Sequence, residues 1–416
     1  MKTPLERGFK INTTLSGGTD MGKYRDTCVF ELKPEEPHWG DFCASPMAYF
    51  RGETSMPGAT YHVGFQTFVK SVDFDEPHFH MATDEYLVFL GAKVPDVFDF
   101  DATIELDIGE DPDHMETMVI DKATVVKIPP YLWHGPIRFR IKKPIIFQQA
   151  YFDGTWSKIT RRLKEDGTYD YIYDGDNLRI CRERTGAKCV MCGKCYGRLS
   201  KTGYNEADYK DFEPDRKRVY TGKYEHLKYE LPEMITYWGD WCAKPQAYLH
   251  GDHDFPGSNY HIGFQVFTKS VPMEFPHFHH HADEYLVFVG ANFPNIFDFD
   301  ATITLFMGED PDNMEKIVVN KPCIIRVPAN VWHCPIYFNL RKPLMFQATF
   351  LNGVWHKVLR RKKDNGEWEY YYEGDNLRKC KLEPEKWCNI CGKCYAGLNQ
   401  TSYAEGKSFA KPDWAE

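Results

Sequence analysis

Short runs in which apolar and polar residues alternate recur along this chain, bounded by Gly, Pro and Asp, and a helical period is scarce. Tyr61-His62-Val63-Gly64-Phe65-Gln66 alternates cleanly, which puts His62, Gly64 and Gln66 on one face of a strand. Glu85-Tyr86-Leu87-Val88-Phe89-Leu90, closed by Gly91, predicts a second strand with Glu85, Leu87 and Phe89 turned inward. Around His78 the flanking apolar residues predict another, followed by a turn over Met81–Asp84. Ile145-Ile146-Phe147-Gln148 predicts a strand running back through the same body, and Trp156 with Tyr169–Tyr173 an aromatic strand pair. Residues 1–38 are polar and irregular, an arm or a loose strand pair. The Tyr, Phe, Val and Ile content of these runs favours an all-β chain.

The same pattern returns after 199 residues. Trp39-Gly40-Asp41-Phe42-Cys43 matches Trp238-Gly239-Asp240-Trp241-Cys242, and Tyr61–Gln66 matches Tyr260–Gln265. Gln148 is matched by Gln347, and the acidic stretch Gly109–Asp113 by Gly308–Asp312, which reads as an exposed turn. A repeat this regular divides the chain into two domains, residues 1–199 and 200–416. The copies differ in chemistry at a few places. Arg51 becomes His250, Met81-Ala82 become His280-His281, Gly135 becomes Cys334, Arg138 becomes Tyr337 and Gln149 becomes Ala348. These swaps change charge and hydrogen bonding, so the two interiors are expected to differ, with one turning over substrate and the other structural or weakly binding.

Charge narrows the partners. Lys and Arg total 51 against 60 Asp and Glu, a net charge of -9, which gives no electrostatic support for nucleic-acid binding. The basic runs Arg161-Arg162 and Arg360–Lys363 read as solvated strand ends. The first residues lack the apolar stretch of a signal peptide, and no apolar run is long enough to span a bilayer. The expectation is a cytoplasmic protein without a membrane partner. Thirteen cysteines, an odd number, favour free thiols and metal ligands over a disulfide framework.

The chemistry concentrates in Pro77-His78-Phe79-His80-Met81-Ala82-Thr83-Asp84-Glu85 with His134, and again in Pro276-His277-Phe278-His279-His280-His281-Ala282-Asp283-Glu284 with His333. Two histidines two apart on a strand project together, and the turn brings the glutamate beside them. Three imidazoles and a carboxylate suit a divalent transition metal, with coordination positions left for chemistry. One such cluster could be ordinary core histidines; two in register argue for metal sites. His62, Gln66 and Gln148, with His261, Gln265 and Gln347, are the candidate groups for moving protons and orienting oxygens.

The His-x-His-x4-Glu run closed by Gly, followed by Pro129-x4-His134 and Pro328-x4-His333, resembles the two motifs of the cupin superfamily, and two copies resemble a bicupin. The resemblance covers about 120 of every 199 residues. It implies two tandem jelly-roll β-barrels, with metal ligands His78, His80, Glu85 and His134 in the first and His277, His279, Glu284 and His333 in the second. Mn2+ or Fe2+, with Zn2+ as a further option, is the implied metal, and a homo-oligomer the family-level expectation.

Each half then carries a cysteine module: Cys181-x7-Cys189-x2-Cys192-x2-Cys195 within about 174–199, and Cys380-x7-Cys388-x2-Cys391-x2-Cys394 within about 373–398. Four thiols at matched spacing point to zinc, with an iron–sulfur cluster as the alternative. The chain is therefore expected to be a metal-dependent enzyme acting on a small oxygenated molecule. Hydrolytic carbon–carbon cleavage of a 1,3-dicarbonyl, such as ring opening of a dihydrophloroglucinol-type ring, comes first. An Fe-dependent dioxygenase, an oxalate-decarboxylase-like decarboxylase and a non-catalytic ligand-binding bicupin are the competitors.

Overall fold

The computed structural model describes residues 22–37, 40–81, 83–152, 157–163, 165–175, 200–201, 217–234, 238–280, 282–351, 356–374 and 399–401. The eight module cysteines and Trp156 lie outside them.

Strands with an apolar face must cover it, and two stacked antiparallel sheets do so in each half by packing their inner faces together. In the first barrel one sheet runs Lys228–Glu230, Thr124–Ile128, Glu85–Gly91, Ile145–Tyr151, His62–Phe68, Ala48–Arg51. The facing sheet is centred on Trp133–Ile141, which pairs with Ala102–Gly109 and with the short strands His78–Phe79 and Val72–Phe74. Leu87, Phe89 and Phe147 from the first sheet meet Ile104, Leu106 and Phe139 from the second, all essentially inaccessible. Burying each such side chain is worth about 2–3 kcal/mol. The Phe68, Phe139 and Phe147 rings pack with centroids 4.5 to 5.5 Å apart, which closes the end of the barrel away from the histidines.

The second barrel repeats this order. One sheet runs Val29–Glu31, Cys323–Val327, Glu284–Gly290, Leu344–Phe350, His261–Phe267, Ala247–His250, facing a sheet built around Trp332–Leu340. The build is that of two tandem cupin-type jelly rolls, as the motifs imply, and the strand assignments around His62, Glu85 and Ile145 hold.

The ends of the two units differ from a cut at 199/200. One compact unit comprises Met1–Glu31, Glu233–Asn292 and Ile296–Glu416, the other Leu32–Pro232 and Phe293–Asn295. Val29–Glu31 pairs with Cys323–Val327 of the second barrel, and its repeat equivalent Lys228–Glu230 pairs with Thr124–Ile128 of the first. The irregular first arm is thus in part a helix, Lys23–Cys28, and an edge strand. Its apolar residues are too few to form a core alone, so Tyr24 and Cys28 bury into the second barrel's core. The Glu315 carboxylate accepts the Tyr24 and Arg25 backbone N–H groups at 2.9 Å each, capping the helix start. That carboxylate occupies the space a side chain at Gly22 would need.

Candidate metal centres

His78 and His134 face each other across paired strands. His80 follows on the same face, and Glu85 opens the strand of the opposite sheet. The Glu85 Oε2 atom lies 3.2 Å from His80 Nε2 and 2.9 Å from His134 Nε2. One ligand atom from each of the four residues falls within 4.8 Å of the others, and all four side chains are buried. In the second barrel the imidazoles of His277, His279 and His333 share that spacing. Glu284 Oε2 stands 3.3 Å from His279 Nε2 and 3.0 Å from His333 Nε2.

The far nitrogens are held by main-chain carbonyls. His78 Nδ1 donates to the Glu76 carbonyl at 2.7 Å, His134 Nδ1 to Leu132 at 3.1 Å, His277 Nδ1 to Phe275 at 2.7 Å and His333 Nδ1 to Val331 at 3.3 Å. His279 Nδ1 donates to the His356 carbonyl. These bonds place the proton on Nδ1 and leave the Nε2 lone pair facing the cluster, the tautomer a metal ligand requires. Among the described residues the buried Nε2 atoms of His134, His279 and His333 and Oε2 of Glu284 have no hydrogen-bond partner. Buried polar atoms left in this way are costly unless a further partner binds them. A divalent cation is that partner, and the donor set fits one.

Cross-strand pairing aligns the interior in rows. In the first barrel one row reads Glu85, Tyr151, His62, Arg51 across four strands. In the second it reads Glu284, Phe350, His261, His250. His62 and His261 therefore sit on the inner wall, as alternation predicts. Burial lowers both to about 3, so each is a neutral imidazole. Gln66 and Gln265 lie deeper, opposite Phe147 and Phe346. Gln66 Nε2 donates to Tyr49 Oη at 2.5 Å, and the Tyr49 ring crosses Gly64 where a Cβ would come within 2.8 Å of it.

Gln148 and Gln347 require a correction. The strand period is two and unbroken by a bulge, so Tyr151 and Phe350 point inward while Gln148 and Gln347, three residues earlier, point to the opposite face. Gln149 and Ala348 occupy the inward positions instead. Both amides are fully buried on the outer side of their strands, and neither orients an oxygen at the metal site.

Several contacts around the two ligand sets escaped the sequence. Tyr151 Oη donates to Glu85 Oε1 at 2.5 Å, a bond that Phe350 cannot make to Glu284. Buried Lys158 pairs with Asp75 at 2.9 Å, and Lys357 with Glu274 at 2.8 Å. Asp75 and Glu274 both have left-handed backbone, φ 61° and 66°. Repeat comparison could have found the Tyr151/Phe350 exchange; the lysine pairs join residues 83 apart and leave no local signal.

A cavity of about 110 Å³ opens beside the second ligand set. Its wall includes His250, His261, Phe350, Cys334 and Lys357. Burial pushes the Cys334 thiol well above its ordinary value, so it is a neutral wall group.

No family model matches the chain, and no curated protein matches it. Among solved structures, a point mutant of Bacillus subtilis oxalate decarboxylase is similar at 10% identity and TM-score 0.45, over 79% of this chain and 78% of that one. The formate complex of Lactobacillus farciminis oxalate decarboxylase is similar at 9% identity and TM-score 0.44, over 79% and 87%. A Bacillus subtilis oxalate decarboxylase studied for its Mn(II) centres is similar at 11% and 0.45, over 79% and 78%. At about a tenth identity those chemistries remain those proteins' own. What this chain does rests on its own residues: two barrels of bicupin build, each with a buried set of metal ligands. Among the described residues no helix is long and apolar enough to cross a membrane.

Proposed function

We propose that this chain is a metal-dependent enzyme that opens a carbon–carbon bond of a small cyclic 1,3-dicarbonyl by hydrolysis. The observation that carries this reading is the charge of the cavity wall. Among the described residues lining it, the one Lys or Arg is Lys357, and its ammonium is already paired with Glu274 at 2.8 Å. A compact dianion such as oxalate would need an uncommitted cation beyond the metal. A neutral or singly ionised dicarbonyl needs none, and the apolar wall supplied by Leu286, Ile336 and Phe346 suits its carbon skeleton.

Mn2+, Fe2+ or Zn2+ held by the four-ligand sets would polarise carbonyl oxygens and activate water. The chain's own groups supply the rest. His261, neutral and on the cavity wall, accepts a proton from the attacking water and returns it to the carbon that leaves as an enolate. Gln265 offers its amide to a substrate oxygen deeper in the barrel. The apolar wall keeps bulk water from the enolate. The four-cysteine modules are read as zinc sites, with a cluster as the alternative, and elemental analysis of serine variants separates them from the barrel metals.

The test is a reaction screen on metal-loaded protein. The expected result is stoichiometric acid release from 1,3-cyclohexanedione without oxygen uptake or carbon dioxide. Oxygen consumption would replace this reading with a dioxygenase, and carbon dioxide from oxalate with a decarboxylase. A barrel that retains no metal and turns over none of them would be a binding protein.

A further inference from the structure

The two ligand sets are anchored differently, and the difference falls on the glutamate. In the second barrel every imidazole is tied from behind. His277, His279 and His333 each donate Nδ1–H to a main-chain carbonyl, those of Phe275, His356 and Val331. The His356 ring adds a clasp on the same turn, its Nε2 accepting the His280 backbone N–H at 2.9 Å. Glu284 has no such tie. Among the described residues, the contacts of its carboxylate are with the His279 and His333 imidazoles themselves. In the first barrel the glutamate is tied, because Tyr151 Oη donates to Glu85 Oε1 at 2.5 Å. That bond leaves Glu85 one oxygen and one orientation for the cluster. Phe350 stands at the Tyr151 position and has no hydroxyl to give.

The geometry of the sets follows that chemistry. Ligand atoms of His78, His80, Glu85 and His134 all lie within 4.8 Å of one another, but in the second barrel this holds for His277, His279 and His333 without Glu284. Glu85 is wholly inaccessible, whereas Glu284 is 5% exposed and forms part of the cavity wall. The same wall carries Phe350 and Ala348, where the first barrel has the more polar Tyr151 and Gln149. The carboxylate that is not held is thus also the one with open space beside it. The rows differ at their far ends too, with Arg51 paired to Glu35 at 2.6 Å and His250 to Asp254 at 2.7 Å. Two strands lie between those pairs and the glutamates, so they do not set how the carboxylates are held.

We propose that Glu284 is a displaceable ligand and Glu85 a fixed one. The first barrel then keeps a closed set of four residues. The second relies on three anchored histidines, while Glu284 swings aside for an incoming oxygen chelator. A single exchange, Tyr151 for Phe350, decides which barrel is open. Carboxylate and carbonyl oxygens suit the same cations, so the ligand that replaces Glu284 is an anion presenting two neighbouring oxygens. Tyr151 acts through Glu85 and is a positioning residue; its absence at Phe350 is what frees Glu284. The inference rests on the metal reading of the two sites and not on the hydrolytic one.

Binding of a simple chelator tests this without turnover. The full chain is filled with Mn2+ in both barrels, checked by elemental analysis, and titrated calorimetrically with acetohydroxamate, which binds as an anion through two neighbouring oxygens. The wild type should take up one probe per chain. Phe350→Tyr supplies the missing hydroxyl and should weaken that binding about tenfold or more while metal content is kept. Tyr151→Phe combined with Gln149→Ala gives the first barrel the wall of the second and should raise the stoichiometry towards two. Glu284→Ala should keep its metal on the three histidines and bind the probe at least as tightly as the wild type, which reads the proposal even if Phe350→Tyr fails to fold. Two equal sites in the wild type, no binding at all, or a Phe350→Tyr chain that binds like the wild type overturns the proposal. Loss of the second barrel's metal in Glu284→Ala does so too. One probe per chain without hydrolysis of any 1,3-dicarbonyl keeps the displaceable glutamate and overturns the hydrolytic reading; hydrolysis with two equal probe sites does the reverse.

Discussion

Single residues show how far the two copies have parted while keeping one ligand set. Arg138 and Asp107 form a fully buried bidentate pair at 2.8 and 3.0 Å, with Thr117 Oγ donating to the same carboxylate at 2.7 Å. In the second barrel the pair is replaced by Tyr337 and Phe306, whose rings pack 6.2 Å apart. A buried ion pair is costly to halve and cheap to replace whole. Arg138→Leu should therefore lose about 3–5 kcal/mol in urea unfolding, and the double variant Arg138→Tyr with Asp107→Phe should recover most of it. Tyr151 gives a second contrast. Because its hydroxyl holds Glu85, Tyr151→Phe should weaken metal retention in the first barrel about tenfold or more, measured by competition with a chelator. The reverse change, Phe350→Tyr, should tighten the second.

The neutral histidines couple the inner wall to pH. His62 and His261 titrate near 3 in the folded chain, against about 6.5 when unfolded. As pH falls the unfolded chain takes up the protons first, so stability is complete above about 6.5 and declines towards 3. Each histidine contributes a slope of up to about 1.4 kcal/mol per pH unit across that window. In metal-free protein, replacing both with Gln should flatten the acid side of the stability profile. An unchanged slope would mean that neither imidazole is buried neutral.

At the scale of the strand, parity does the sorting. His62, Gly64 and Gln66 face inward because they share a face with the row that starts at Glu85. Gln148 looks equivalent in sequence, yet it lies one residue out of phase. Gln347→Leu should thus leave metal content and turnover unchanged, whereas Gln265→Leu should reduce kcat about tenfold or more. Gly64 and Gly263 serve the same strands differently. A methyl at either would meet the crossing tyrosine ring, at 2.8 Å from Tyr49 and 2.6 Å from Tyr248. Their role is to let an aromatic side chain lie across the sheet.

Over the whole molecule, the boundaries of the units follow edge strands and not the repeat. The Val29–Glu31 strand covers the Cys323–Val327 edge, where Cys323 is fully buried and its thiol pushed far up by that burial. A fragment of residues 200–416 alone would leave this edge open. Thiol labelling of Cys323 should be fast in that fragment and slow in the full chain. Equal labelling rates would show that the first arm contributes nothing to the second barrel.

The sequence by itself determined the strand class, the duplication and the candidate ligand residues of both barrels, of which His78, His80, Glu85 and His134, and His277, His279 and His333, come together at ligand spacing. Those are local properties: a period of two, a spacing of two between histidines, and repetition in register. It also determined that the interiors differ, since Arg51 and His250 cannot play one part. What those differences do was decided by tertiary structure. The Arg51–Glu35 pair, the His250–Asp254 pair and the Tyr151–Glu85 bond appear only when separate strands are laid side by side. Nor could spacing alone exclude Gln148, because the face a residue takes is set by which neighbour the strand pairs with and in what register. Edge strands are the extreme case: Val29–Glu31 and Lys228–Glu230 are three-residue segments that acquire a place only from the unpaired backbone groups of the sheet they complete.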